Sequence, residues 1–205
     1  MCELLLFVYN SCMKRFDDVI EFHGHACPGL ALGYRVGLRV LREFGDRAGD
    51  EELVAVVENS SCAVDAVQVM TGCTFGKGNL IFRDYGKQVY TFYTRPSGRG
   101  IRIAVNWTKP AETAQEKRMW DRYMKGDRSK QVTAHVHDSK AAKIRSILEA
   151  DEKTLLTVTR IKEHLPPVAS IYPSVTCEEC KEKVMEPRAR IREGRIVCIP
   201  CSERK

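Results

Sequence analysis

Four cysteines near the C-terminus carry the sharpest chemical signal in this 205-residue chain. Cys177-x2-Cys180 and Cys198-x2-Cys201 are separated by 17 residues, the spacing of two metal-binding knuckles. Each knuckle aims two thiolates at one point, and four sulfurs close a tetrahedron around Zn²⁺ at about 2.3 Å. That set leaves no open coordination position, so one structural zinc per chain is expected there. A segment of about 40 residues builds little core, so the metal supplies much of its folding energy.

A second cluster lies near the other end. His23-Gly24-His25-Ala26-Cys27 places three potential ligands within five residues, directly before Pro28. Pro suits the first position of a helix. Cys27 therefore falls at the helix start, where unpaired N–H groups and the helix dipole favour a thiolate. Cys62 repeats the pattern of strand, short turn and cysteine at a helix start. Two cysteines primed alike suggest a shared site, which fits either metal binding or nucleophilic sulfur chemistry. Cys73 lies 11 residues after Cys62. On one continuous helix that is about 16 Å, too far to share an ion, so Cys73 is a weaker candidate. Cys2 and Cys12 have no partner spacing and are read as structural.

Other chemistries find less support. Gly72 to Lys77 is one residue short of a Walker A loop, and no hydroxyl follows the lysine. Lys77 is expected to line the cleft and face an anion. No G-x-S-x-G elbow is present. His135-Val136-His137 would share one face on strand spacing, but it lacks acidic or cysteine partners.

These residues need elements to position them. Ser11 to Phe22 has apolar residues at helical spacing, and Pro28 to Phe44 reads as a helix ending at Gly45. Gly29, Gly33 and Gly37 lie four apart on that helix, and such a stripe lets another backbone approach closely. Leu53–Val57 reads as a buried strand and 63–70 as a helix. Leu80–Phe82, Val89–Thr94 and Ile101–Val105 read as an antiparallel meander. Helices are expected over 113–125 and 139–148, and a last strand over 155–161. The order is not a regular βαβ repeat, so the expected class is α+β with a mixed or antiparallel sheet. Leu165 to Ser174 holds three of the eight prolines and reads as a linker. The expected domains are 1–164, an α+β core, and 165–205, linker and four-cysteine zinc finger.

Composition narrows the class. Hydrophobic residues make up 43% and charged residues 29%, a globular balance that excludes collagen-like and largely disordered chains. No apolar run approaches the roughly 18–20 residues of a membrane span. Leu4 to Tyr9 lacks a basic n-region and a cleavage site, so no signal peptide is expected. Nine cysteines without that signal favour metal or redox chemistry over disulfides, in the cytoplasm. The net charge is +6, with ten Lys/Arg against five Asp/Glu between Lys109 and Arg145. The finger segment carries +2, which Zn²⁺ with four thiolates cancels. Nucleic acid is therefore not the expected partner of the finger.

Phe22-His23-Gly24-His25-Ala26-Cys27-Pro28-Gly29-Leu30-Ala31-Leu32-Gly33 resembles the signature of FmdE, the formylmethanofuran dehydrogenase E family. Cys62 to Gln68, then Thr71 to Leu80 and Asp84 to Lys87, resemble its second block. The C-terminal knuckles are similar to the finger many members carry. The resemblance implies an iron–sulfur scaffold (SufE/IscU-like) core and an intertwined homodimer with the finger packed on the partner subunit. It implies a crevice where His25, Cys27 and Cys62 meet, with His23 and Cys73 nearby. It also implies association with a molybdenum or tungsten enzyme whose catalytic subunits are other chains.

The resulting expectation is a metal-binding accessory protein with a second metal ion in the crevice, linked to such a redox enzyme. Two alternatives remain open. One is an enzyme using Cys27 or Cys62 as thiolate, or a metal-bound water. The other is a regulator binding nucleic acid through the finger and the basic 109–145 segment.

Overall fold

Leu53–Val57 is a run of small and β-branched residues, and all five are buried. A strand covered on both faces belongs in the middle of a sheet. The computed structural model, which describes residues 14–95, 97–162 and 166–204, puts this strand, β1, second in a five-stranded sheet. The remaining strands are β2 (Leu80–Phe82), β3 (Val89–Thr94), β4 (Gly100–Val105) and β5 (Leu156–Ile161). Their order is β2-β1-β3-β4-β5. The readings made for Leu4–Tyr9, Cys2 and Cys12 lie outside the described residues.

The fold is mixed α+β, as expected, but the meander is not as expected. β3, β4 and β5 pair antiparallel in sequence, whereas β2 pairs parallel with β1 at the opposite edge. The connection from β1 to β2 is a helix, α3 (Ala63–Thr71), so one βαβ unit starts the sheet. A parallel neighbour needs such a crossover, while β3 and β4 need only a short turn.

Alternate residues of the strands point to one core. Leu53, Ala55 and Val57 of β1, Tyr90 and Phe92 of β3, and Ile101 and Ile103 of β4 form one cluster. Against it lie Ala31, Val36 and Val40 of α2 (Pro28–Phe44), with Val67 of α3. A short α1 (Phe16–His23) precedes α2, and it buries Val19 in a second cluster with Leu30, Ala66 and Met70.

The glycine stripe serves the approach of α2 to α3. A Cβ on Gly33 would lie 2.1 Å from the Ala63 carbonyl oxygen, and one on Gly37 would lie 2.4 Å from Met70 Cβ. Only hydrogen fits at either position.

Two further helices, α4 (Ala114–Met124) and α5 (Lys130–Glu149), pack on each other, and α5 also packs on α2. Sequence spacing places the start of the second helix at 139, nine residues late. The missed half carries Val132, Thr133 and Val136, poor helix formers. Tertiary burial of Val132 and Val136 overrides that preference. His135 and His137 therefore sit on a helix, two positions and about 200° apart, and share no face. The buried Arg35 donates at 2.7 Å to the carbonyls of Ile147, Leu148 and Ala150, closing the open end of α5. A single turn, α6 (Glu152–Leu155), leads into β5.

The chain falls into two compact units, Met1–Val168 and Ala169–Lys205. The second holds two hairpins, β6 (Ser174–Thr176) with β7 (Lys183–Met185) and β8 (Ala189–Arg192) with β9 (Arg195–Cys198). One turn of helix, α7 (Ile199–Ser202), follows.

Candidate metal crevice and zinc finger

His23 ends α1. Gly24 then takes a left-handed conformation, φ 91°, which bends the chain back so that His25 and Cys27 return beside His23. The His23 and His25 rings lie 4.6 Å apart between centroids, tilted by 39°. One ligand atom from each of His23, His25 and Cys27 lies within 4.8 Å of the others. Cys27 is the N-cap of α2, and its sulfur accepts from the Leu30 N–H at 3.3 Å.

The His23 ring is fixed from behind. Its Nδ1 donates to the Asp65 carboxylate at 2.7 Å. In the neutral ring Nε2 then holds the lone pair, and among the described residues that buried atom has no hydrogen-bond partner. A carboxylate-bound imidazole with its other nitrogen bare is the arrangement that orients metal-ligating histidines. The donor set of two imidazoles and one thiolate suits Zn²⁺, Fe²⁺ or Ni²⁺ and leaves a coordination position open.

Cys62 adjoins this set without being part of the tight group. It lies near enough to Cys27 for the two thiols to influence each other. Gly29 lies between them: a Cβ there would sit 3.4 Å from Cys62 Cβ and 3.9 Å from Cys27 Sγ. The two cysteines are not alike, against the sequence expectation. Cys62 has helical backbone angles, φ −51° and ψ −23°, and its side chain caps nothing. Burial pushes its thiol above the ordinary value, and the neighbouring Cys27 pushes it further.

The turn before Cys62 is held by a buried polar network. The Ser61 hydroxyl donates to Asn59 Oδ1 at 2.7 Å, Asn59 Nδ2 donates to the Lys87 carbonyl at 2.7 Å, and the Tyr90 hydroxyl donates to Gln88 Oε1 at 2.8 Å. A cavity of about 380 Å³ opens beside the cluster, walled by His23, Asn59, Cys62, Asp65 and Leu80. Phe75 and Phe82 stand exposed at its edge.

Two sequence candidates lie elsewhere. Cys73 is fully buried in the main core, and its sulfur donates to the Leu53 carbonyl. Helix α3 ends at Gly72, φ 73°, which turns Cys73 inward and away from the crevice. Lys77 is engaged by backbone: its ammonium donates to the carbonyls of Ala48, Gly49 and Asp50. It ties the glycine-rich turn to the loop before β1. Sequence reasoning missed Asp65 and Asn59. The Cys62-x2-Asp65 spacing on a helix, which puts both on one face, was the available signal.

The finger assembles the four expected sulfurs. Cys177, Cys180, Cys198 and Cys201 have ligand atoms within 4.8 Å of one another. Cys177 and Cys201 are fully buried with Val197. The Cys198 N–H donates to Cys177 Sγ at 3.3 Å, and Cys180 and Cys198 sulfurs are 3.8 Å apart. Backbone N–H groups of Cys180 and Cys198 pull the Cys177 thiol well below its ordinary value, whereas burial pushes that of Cys201 up.

The model of a family described as "FmdE, Molybdenum formylmethanofuran dehydrogenase operon" matches residues 22–157. This chain belongs to the FmdE family. The prokaryotic dksA/traR C4-type zinc finger matches residues 170–205. A "Probable S-adenosyl-L-methionine-binding protein" from Archaeoglobus fulgidus is 30% identical over 194 residues, which cover 89% of this chain and 50% of that protein. The chain thus spans half the length of this relative. The crystal structure of a tungsten formylmethanofuran dehydrogenase FmdE-like protein from Syntrophus aciditrophicus is 24% identical, covers 92% of each chain and superposes with a TM-score of 0.56. It shares the fold of this FmdE chain. No described helix is long and apolar enough to cross a membrane.

Proposed function

We propose that this FmdE chain is a metal-binding accessory protein of a molybdenum or tungsten formylmethanofuran dehydrogenase or a related redox enzyme. The finger would hold structural zinc on its four sulfurs. The crevice would hold a second ion on His23, His25 and Cys27, with Cys62 beside it. The observation that carries the second site is the buried, unpartnered Nε2 of His23, held by Asp65 within 4.8 Å of two further ligand atoms. An ion there supplies Lewis acidity at an open position. The chain's residues orient it: Asp65 fixes the His23 tautomer, the Leu30 N–H stabilises the Cys27 thiolate, and the Asn59 network holds the turn before Cys62.

The proposed assembly is a homodimer with the finger packed on the partner subunit. Ile191 and Ile196, paired across β8 and β9, expose apolar surface that such packing would cover. Sedimentation velocity on the full chain reads this directly.

Metal content per chain by mass spectrometry tests the crevice. Wild type is expected to carry about two ions and Cys27→Ala/Cys62→Ala about one, the finger zinc. One zinc in both proteins overturns the crevice site.

A further inference from the structure

A thiol stands beside the ligand set without belonging to it. Cys62 is half-buried, lies across Gly29 from Cys27, with a Cβ on that glycine 3.4 Å from Cys62 Cβ and 3.9 Å from Cys27 Sγ, and forms part of the wall of the open cavity. Cys27 is also half-buried and is flanked by exposed Gly24, His25 and Ala26. Both can meet a small solute. Their relative position is fixed, because α2 and α3 touch backbone to backbone at Gly33 and Ala63. The polar network on Asn59 holds the Cys62 turn in place. A zinc ligand needs no free thiol beside it, whereas sulfur exchange needs two.

We propose that Cys27 and Cys62 form a redox dithiol that small organic disulfides oxidise to an intramolecular disulfide, discharging the crevice metal. Only the discharge step rests on the metal reading above. The exchange balances in two displacements. The Cys27 thiolate, stabilised by the Leu30 N–H, attacks one sulfur of R–S–S–R, forming a Cys27 mixed disulfide and releasing RS⁻. The Cys62 sulfur then attacks Cys27 Sγ and loses its proton to the medium. The Cys27–Cys62 bond forms and a second RS⁻ leaves. Two thiols are oxidised and one external disulfide is reduced to two thiols. Cys27 then has no thiolate to offer a metal, and the crevice keeps two imidazoles alone. Cys27 takes the first step because residues 24–26 beside it are exposed and its sulfur sits at the start of α2.

Other cysteines provide internal contrast. Cys73 is fully buried and bonded to Leu53, and Cys177 and Cys201 are fully buried in the finger. None should exchange on the same timescale in folded protein.

The test uses the full chain, metal-loaded and chelator-treated, with 2-hydroxyethyl disulfide as the probe and peptide mapping as the readout. Wild type is expected to yield a Cys27–Cys62 linked peptide in both preparations. Cys62→Ser should stop at a stable mixed disulfide on Cys27, and Cys27→Ser should form no adduct at Cys62. Serine caps helices well, so Cys27→Ser keeps the α2 start, and Cys62 makes no cap that Cys62→Ser could lose. In the metal-loaded protein, release of one ion should track the cross-link while finger zinc stays bound. Absence of the linked peptide, or an unresolved mixed disulfide in wild type, overturns the dithiol. A cross-link with the crevice ion retained overturns the discharge. A cross-link in a protein that never binds a crevice ion upholds the dithiol, removes the discharge step and overturns the metal reading.

Discussion

Gly33→Ala tests the contact on which the crevice depends. The added methyl would lie 2.1 Å from the Ala63 carbonyl oxygen and 2.7 Å from its Cα and carbonyl carbon. Ordinary contact begins near 3.4 Å, so the two helices must part by about 1.3 Å along that line. All three atoms are backbone, so no rotamer change relieves the clash. Overpacking costs about 1–3 kcal/mol, here at the upper end, and the better helix propensity of Ala returns about 1 kcal/mol. The net loss of about 2 kcal/mol corresponds to a fall in Tm of about 4–8 °C for a domain of this size. Thermal unfolding followed by circular dichroism measures it, with Gly76→Ala as the control, since nothing lies within 4 Å of a Cβ there. The same separation moves Cys27 off Cys62. Crevice metal and Cys27–Cys62 cross-linking should therefore fall together while finger zinc is unchanged. A Gly33→Ala protein as stable as wild type would refute the reasoning, because it would mean that α2 and α3 do not touch.

Asp65→Asn keeps the shape but loses the charge that holds His23 Nδ1–H, so crevice metal affinity should drop about 10- to 100-fold in a competitive chelator titration. Burial pushes the Cys73 thiol up from 9.0 to about 11. The folded state keeps that proton longer than the unfolded chain, so the contribution is complete below pH 9.0 and is lost as pH rises to 11. Denaturant titrations should show about 2–3 kcal/mol lost across that window, and Cys73→Ala should lack this component. Arg35→Met leaves three carbonyls at the end of α5 unpaired, and chemical denaturation should report a loss of about 2–4 kcal/mol.

The sequence shows the fold best where local pattern and burial agree. Pro28 and Gly45 bound α2 within a residue because helix ends have chemical signatures. The unbroken apolar run of β1 reads as a central strand for the same reason. Strand neighbours carry no such mark. Leu80–Phe82 is three residues long, and nothing local says that it pairs parallel with β1 rather than antiparallel with β3. In the crevice, His23, His25 and Cys27 announce themselves by proximity in sequence. Asp65 lies 42 residues from His23, and only the crossing of α2 and α3 brings the α3 face against that motif. Lys77 misled for the converse reason. A lysine in a glycine-rich turn looks free, and its three backbone acceptors come from a loop nearly 30 residues away.

The two cysteine-bearing centres follow opposite physical logics. In the finger, four sulfurs on two short hairpins converge on one point, and Cys177, Val197 and Cys201 make up almost all of its buried core. Remove the ion and little apolar area remains to order the unit, so metal and fold are one equilibrium. The crevice is assembled by elements that the main core already holds together. α2 and α3 are fixed by Gly33 against Ala63 and by the core beneath, and the ligand residues lie at the end of α1, in the turn after it and at the start of α2. An ion there need not support the fold, so it can exchange, accept an external ligand or be displaced by sulfur oxidation. A site free of structural duty, with an oriented imidazole, a sulfur capping a helix and a second thiol nearby, has the features of a working centre.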